Sequence, residues 1–335
     1  MRIIKPPDNL VNRLFFWPSQ NISLAIFLAL MVGFAAGLGL DTTPLKRWLL
    51  PLTFIMIYPS MIGFKANEIF GRSHGRLLAV AMLINFAVIP GLAYLLGIGF
   101  LLENPQLFAG LAIAALLPTS NMTVSFTMLG GGNVPASVKM TAFGLLLGSV
   151  LAPWYLYLMV GRYVPVDILA TFETVGIVIL SPLGLGMLTY HYLLKKYGQE
   201  YFQKQIKPLM PAVSSWGMML VIIISISMNS RALASRPDML AVALAVQVVF
   251  YAVNYLVATL VGRRLFAERE ALSLVFATAL RNLGLSIGLA AATFGPDAAM
   301  MVALAILIQG QAAAWYIKLN KRYGFLRGQK VLDHC

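Results

Sequence analysis

Long apolar runs, separated by short polar connections, follow one another along the whole chain. A helix that crosses a bilayer needs about 20 mostly apolar residues. Ten segments meet this requirement, and the connections between them are too short to hold a soluble domain. They are Ile22–Leu40, Trp48–Phe64, Leu77–Leu101, Leu107–Leu129, Ala136–Val160, Ile168–Leu194, Met210–Met228, Met239–Val261, Leu272–Phe294 and Ala298–Ile317. The pattern therefore predicts an all-α membrane protein with ten transmembrane helices.

The fourth and ninth apolar runs each contain a polar break. The fourth includes Pro118 to Thr123, and the ninth includes Thr278 to Gly284. Proline removes a backbone donor, and a break at membrane depth is tolerated only inside protein or beside a water-filled cavity. Secondary transporters bind substrates and ions at such breaks. We therefore expect two discontinuous helices that cross at the centre, although hydroxyls and amides also serve as interhelical contacts.

The two halves of the chain show a weak similarity, strongest between the third and eighth runs. A loop with Arg72 and Arg76 precedes an Ala/Leu/Val-rich stretch that contains Asn85. A loop with Arg231 and Arg236 precedes a similar stretch that contains Gln247. Runs five apart face opposite ways, which predicts a five-plus-five inverted repeat. The expected divisions are a cytoplasmic N-terminal segment (1–20), a first repeat (21–163), a second repeat (164–318) and a basic cytoplasmic tail (319–335).

Lysine and arginine are distributed unevenly between the two sides of this ten-helix arrangement. With the N-terminus in the cytoplasm, 18 of the 25 basic residues fall on the cytoplasmic side and five on the other. Cytoplasmic loops of membrane proteins carry such an excess. The distribution predicts a multi-pass protein of a cell inner membrane with both termini in the cytoplasm.

Composition narrows the possible functions. Hydrophobic residues make up 59% of the chain and charged residues 11%, against about 25% charged in a soluble domain. The formal charge of +13 then reflects cytoplasmic loops, and we expect no nucleic-acid partner. Cys335 is the only cysteine and the three histidines are scattered, so we expect no metal site and no cofactor. No pattern of catalytic residues appears in the apolar runs, which predicts a protein that is not an enzyme. We expect it to be a monomer or a homodimer in the lipid bilayer.

Two cations, Lys139 and Arg281, fall inside predicted spans, where each costs at least about 2.5 kcal/mol to insert. Lys139 is close enough to a glycine-rich turn that it could extend to the interface. Arg281 lies about ten residues into its run, and no acidic residue lies deep in any run. Carbonyls, water or an anionic ligand must then complement Arg281, which points to an anionic substrate or to fixed cations in place of mobile ones.

Several of these motifs resemble the superfamily of bile acid:sodium symporters and arsenite efflux permeases. The resemblance covers nearly the whole chain and is closest in spacing to the arsenite branch. It rests on Ile55–Met61 followed by Lys65, on Asn85 with Pro90, on Pro118 to Asn133, and on Phe276 to Gly295. It implies ten helices in a panel domain and a core domain, two crossing discontinuous helices in the core, and transport by alternating access.

The sequence also departs from that superfamily. Arsenite permeases carry a cysteine just after the proline of the broken fourth helix, where this chain has Thr119, and a carboxylate in the ninth helix, where it has Gly284. Trivalent arsenic favours a thiolate. In the sodium symporters the resemblance implies cation sites built from a Ser-Asn pair, hydroxyls of the fifth helix, and Glu and Gln of the ninth. Here the Glu is missing and Arg281 falls near the Gln position. The first part of that set is matched by Ser120, Asn121, Ser137 and Thr141.

We therefore expect a secondary transporter of a small organic anion that works without sodium, with Lys139 and Arg281 as fixed cations. The substrate-binding residues are predicted to be Asn85, Thr119, Ser120, Asn121, Arg281 and Asn282. The cation sites, or their replacements, are predicted at Ser137, Lys139, Thr141 and Arg281. The alternatives are an arsenite or metalloid oxyanion permease, a sodium-coupled organic anion symporter, and a membrane sensor that binds ligand without transporting it.

Overall fold

The computed structural model of the chain describes residues 10–63, 74–235 and 237–326. Within these ranges the protein is helical and contains no strand, only one isolated β-bridge. Several cations used above to predict orientation lie outside the described residues. They are Arg2, Lys5, Lys65, Arg72, Arg236, Arg327 and Lys330.

The first half of the described chain forms seven helices, the third of which is preceded by a 3-10 turn (Thr43–Trp48). They are α1 (Leu10–Gln20), α2 (Ile22–Gly39), α3 (Leu49–Met61), α4 (Gly75–Phe100), α5 (Pro105–Leu116), α6 (Asn121–Gly130) and α7 (Val134–Val160). The predicted N-terminal segment thus contains a helix that the apolar runs did not indicate.

The second half forms six helices. They are α8 (Leu169–Ile206), α9 (Leu209–Ser235), α10 (Pro237–Leu265), α11 (Glu268–Ala279), α12 (Leu283–Thr293) and α13 (Pro296–Tyr323). Prolines stand in the first turn of several helices, as in α5 and α13. There the missing N–H leaves no hydrogen bond unmade.

Prolines also account for three wider turns inside or at the end of the long helices. The π-helical turns Ile84–Val88, Gly176–Leu180 and Phe202–Ile206 each end two residues before a proline. Proline cannot donate to the carbonyl four residues back and its ring clashes with that carbonyl. At Pro90 the carbonyl concerned is that of Phe86, which accepts a hydrogen bond from the Tyr155 hydroxyl instead. This turn in α4 contains Asn85, a predicted site residue.

Glycines allow close contact between helices. A Cβ at Gly37 of α2 would lie 1.9 Å from the Ser227 carbonyl oxygen of α9, and one at Gly110 of α5 would lie 2.4 Å from the Ala298 carbonyl oxygen of α13. A Cβ at Gly288 of α12 would lie 2.3 Å from the Thr53 side chain of α3. Small residues at helix crossings let backbones approach in this way in membrane proteins.

In the part of the chain that the structure describes, six helices are long and apolar enough to cross a membrane: α4, α7, α8, α9, α10 and α13. A seventh is obtained if α1 and α2, which meet at a bend of 98°, form one span. The apolar helices α5 and α12 are shorter than a bilayer is thick. Each is one half of a broken pair, α5 with α6 and α12 with α11. The predicted all-α membrane protein is confirmed.

Candidate functional site

The two breaks predicted from the sequence lie against each other at the centre of the molecule. Residues 117–120 separate α5 from α6, and residues 280–282 separate α11 from α12. Pro118 and Arg281 form an antiparallel β-bridge. The Thr119 N–H donates to the Leu280 carbonyl at 3.0 Å, and the Asn282 N–H donates to the Leu117 carbonyl at 2.8 Å. Each break therefore satisfies backbone groups that the other leaves without a helical partner.

The break between α5 and α6 is built by a proline and two hydroxyl residues. Ser120 caps α6: its side chain accepts from the Met122 N–H, and Thr123 accepts from the Ser120 N–H. Such a capping box satisfies two of the free donors at a helix start. Thr119 has φ +61°, a region that β-branched residues rarely adopt. Its hydroxyl donates to the Pro118 carbonyl, with the Thr141 carbonyl of α7 at 3.3 Å.

The break between α11 and α12 presents a cation and an amide. Asn282 caps α12, with its side-chain oxygen accepting from the Leu285 N–H. Arg281 is fully buried and is the largest fully buried side chain among the described residues. The N-termini of α6 and α12 both begin at the breaks, and each carries roughly half a positive charge.

The guanidinium of Arg281 is bound entirely by uncharged oxygens. Its Nε donates to the Ala114 carbonyl at 3.2 Å, and one terminal nitrogen donates to the Ala115 carbonyl. The other donates to the Thr278 carbonyl at 3.2 Å and to Asn85 Oδ1 at 2.5 Å. Four of the five N–H donors of arginine are thus used. The carbonyls belong to the last turns of α5 and α11, where two helix dipoles supply roughly one negative charge in total.

Asn85 links the guanidinium to α11. Its Oδ1 accepts from Arg281, and its Nδ2 donates to the Ala277 carbonyl at 3.0 Å. The side chain is completely buried and is carried by the π-helical turn of α4. Such turns are frequent at functional sites.

A second amide holds the backbone of Arg281. Gln309 of α13 accepts from the Arg281 N–H through Oε1 at 2.7 Å, and its Nε2 donates to the Arg281 carbonyl at 3.1 Å. The Tyr251 hydroxyl of α10 donates to the same Oε1 at 3.0 Å. Neither Gln309 nor Tyr251 was expected at the site, because single polar residues in apolar helices are common as interhelical contacts.

The hydroxyls predicted for a cation site are bound to neighbouring protein groups. Ser137 of α7 pairs with Thr127 of α6 at 2.8 Å between oxygens. Thr141 donates to the Ser137 carbonyl at 2.8 Å. Lys139, between these two residues in sequence, is 7% exposed and therefore buried in the protein.

The structure brings the predicted substrate residues to one crossing but gives them unequal access. Asn85, Thr119 and Arg281 are completely buried, whereas Ser120 and Asn282 are half-buried. The backbone of Asn121 begins α6, and its side chain lies outside what the structure describes.

Comparison with known proteins identifies the group to which this arrangement belongs. The sequence profile described as the Sodium Bile acid symporter family matches residues 50–236, more than half of the chain. The chain belongs to the sodium bile acid symporter family. Membership makes it a membrane transporter and not an enzyme, as the sequence predicted.

Three relatives of known sequence are between 24% and 28% identical to this chain. The arsenical-resistance protein Acr3 of Corynebacterium glutamicum is 24% identical over 84% of this chain and 82% of its own length. The probable sodium/metabolite cotransporter BASS1 of rice chloroplasts is 28% identical over 63% of the chain, which spans about half of that relative. The uncharacterized protein YbaS of Bacillus subtilis is 24% identical over 75% of the chain and 81% of its own length. The relatives thus include proteins named for sodium-coupled transport and for arsenical resistance, the two branches that the sequence resembles.

Proposed function

We propose that the chain crosses an inner membrane ten times as a five-plus-five inverted repeat with both termini in the cytoplasm. The order of helices supports this. When α2 is counted as the first crossing and each broken pair as one crossing, the fourth crossing of each half is broken. The panel domain would comprise α2, α3, α8 and α9, and the core domain α4 to α7 and α10 to α13. Gly288 of α12, packed on Thr53 of α3, lies at the boundary between them.

Within this architecture we propose secondary transport of a small organic anion by alternating access, without sodium. The observation that carries the proposal is the Arg281 guanidinium, which occupies the oxygen-lined space at the C-terminal ends of α5 and α11. In secondary transporters, sodium ions are coordinated by unwound backbone carbonyls and by the C-terminal ends of half-helices. A cation attached to the chain fills the space in their place, and the buried Lys139 is the second fixed cation.

The half-buried residues of the crossing supply contacts for an anion. Ser120 and Asn282 stand at the N-termini of α6 and α12, where the helix dipoles favour negative charge. The fixed charge of Arg281 adds to this field, since no carboxylate is among its partners in the described chain. In this conformation Arg281 acts on the substrate through its charge, and direct contacts come from the two capping residues.

The test is an uptake screen of organic anions in proteoliposomes, followed by a sodium titration for each anion transported. Transport should be unchanged when sodium is replaced by potassium or choline at equal ionic strength. A steep dependence on sodium, with lithium and potassium inactive, would refute the fixed-cation proposal. It would favour the sodium-coupled transport that the name of the rice relative states.

A metalloid substrate is the second candidate, because the relative named for arsenical resistance is similar over 84% of the chain. In this chain the position after the proline of the break is Thr119, whose hydroxyl already donates within the protein. A soft metalloid favours a thiolate, which the break does not offer. Expression in an arsenite-sensitive host separates the two candidates, since arsenite efflux would restore growth and organic anion transport would not.

A further inference from the structure

The side-chain amide of Gln309 hydrogen-bonds the edge of the α11–α12 break that does not pair with residues 117–119. On one side, the break pairs with residues 117–119 through the carbonyl of Leu280 and the N–H of Asn282. On the other side, the N–H and carbonyl of Arg281 both bind the side chain of Gln309. The residues of the break are therefore hydrogen-bonded on both edges, on one edge by backbone groups and on the other by a side-chain amide.

Tyr251 fixes the direction of that amide. Its hydroxyl donates to Gln309 Oε1, so the oxygen of Gln309 faces both Tyr251 and the Arg281 N–H. Nε2 is left to donate to the Arg281 carbonyl. All three residues are at least 98% buried. A buried backbone group that loses its partner is costly, so the break has little freedom to adopt another backbone geometry while Gln309 and Tyr251 are in place.

We propose that Gln309 and Tyr251 are positioning residues that set the backbone of Arg281 and thereby place its guanidinium among the oxygens of α4, α5 and α11. The proposal rests on the function proposed above for Arg281. Neither side chain is assigned contact with substrate. The two residues instead connect the central break to α10 and α13, so that the position of Arg281 is fixed relative to these two helices.

The chain offers a matched control for each residue. Gln247 is another fully buried glutamine on the α10–α13 seam, and it donates to the Met301 carbonyl at 3.1 Å without touching the break. Tyr255 lies one turn from Tyr251 on α10, and its buried hydroxyl has no hydrogen-bond partner among the described residues. Gln309→Leu and Tyr251→Phe remove an amide and a hydroxyl that hold the break. Gln247→Leu and Tyr255→Phe remove the same chemical groups from other buried positions.

The experiment measures kcat and KM for the transported anion, together with melting temperature, in these four variants. We expect Gln309→Leu to lower kcat on the order of tenfold or more, since three hydrogen bonds are lost and two backbone groups of the break lose their partner. Tyr251→Phe should have a smaller effect of the same kind. The control variants should retain wild-type kcat. Equal losses in Gln309→Leu and Gln247→Leu would overturn the proposal.

A conservative variant separates positioning from mere packing. In Gln309→Glu, a protonated carboxyl can accept from the Arg281 N–H and donate to the Arg281 carbonyl as the amide does, whereas a carboxylate can only accept. Among the described residues, Gln309 is hydrogen-bonded to the hydroxyl of Tyr251 and to the backbone of Arg281, whose guanidinium is the nearby charge. We expect kcat of this variant to decline as pH rises, with a flat profile in the wild type over the same range. A flat profile in the variant would count against positioning.

A double-mutant cycle keeps this proposal distinct from that for Arg281. If Gln309 acts through Arg281, Gln309→Leu should change the residual transport of Arg281→Ala by less than twofold, because neighbouring residues of one network are not additive. Independent, multiplicative losses would overturn the positioning role and leave the fixed-cation proposal standing. Wild-type transport by Arg281→Ala with loss in Gln309→Leu would overturn the fixed cation instead.

Discussion

Replacing Arg281 by alanine should convert the protein into one that requires an added cation. The substitution leaves four oxygens facing an empty space, those of Ala114, Ala115, Thr278 and Asn85. These oxygens lie at two helix C-termini and are fixed by the surrounding backbone. A small monovalent cation that enters the space finds the ligands that the guanidinium had.

The magnitude follows from the bonds lost. Hydrogen bonds to a charged group are worth about 1.5–3 kcal/mol each, but the sum for four overstates the cost, because a buried charge is removed with them. We expect a loss of roughly 3 kcal/mol in the free energy of unfolding, at the upper end of the cost of leaving a buried polar group without its partner. A cation present at about ten times its dissociation constant should restore about 1.4 kcal/mol.

The assay is thermal unfolding of the purified variant, with transport in proteoliposomes measured alongside. Guanidinium at millimolar concentration, sodium and potassium are compared with choline at equal ionic strength. We expect guanidinium or sodium to raise the melting temperature of Arg281→Ala by a few degrees and to restore part of its transport. Arg281→Met fills the space without charge, so it should gain nothing from either cation. The reasoning is refuted if both variants respond alike, or if Arg281→Ala transports at the wild-type rate with choline alone.

Three further changes test other parts of the structure. Asn85→Asp keeps the acceptor for Arg281 but neutralises its positive charge, because the two opposite charges attract by about 4 kcal/mol at 4 Å and an effective dielectric constant of 20. Uptake should fall at least about tenfold with the fold intact. Full transport would show that the charge of Arg281 is not needed. Ser120→Ala removes the cap of α6 and should cost about 1 kcal/mol, measured as a lower melting temperature, with no change expected if the cap is dispensable. Gly37→Ala should destabilise the protein by about 1–3 kcal/mol, because the new Cβ meets the Ser227 carbonyl. Gly39→Ala is the control, since a Cβ at Gly39 meets nothing within 4 Å. Similar melting temperatures in the two variants would contradict the close packing of α2 on α9.

The breaks could be predicted from the sequence because their residues are unusual in an apolar helix. Pro118, with hydroxyls beside it, and Arg281, beside an amide, each conflict with an uninterrupted span. The wider helical turns also leave a signal, since each ends two residues before a proline. These features depend on local backbone chemistry, which the sequence states directly.

The partners of Arg281 could not be predicted in the same way. Three of its ligands are carbonyls of Ala114, Ala115 and Thr278, and every residue has a carbonyl, so the identity of those residues gives no signal. Gln309 is 28 positions away in another helix, and Gln311, two residues further on, is a second glutamine of that helix. Only the fold shows that Gln309 meets the break. The sequence indicated a cation in need of partners, and tertiary packing determined which ones.

A cation tethered to the protein has an electrical consequence if transport follows the proposed cycle. A carrier coupled to sodium releases its cations with the substrate and returns without them. Arg281 is hydrogen-bonded to α4, α5, α11 and α13, so it stays with the carrier when the empty carrier returns to its starting conformation. A bound monoanion offsets one of the two proposed fixed cations, Arg281 and Lys139, whereas the empty site carries the charge of both. If the site moves through the electric field of the membrane during this return, the membrane potential does work on the empty carrier. This work is at most about 2.3 kcal/mol per elementary charge for each 100 mV.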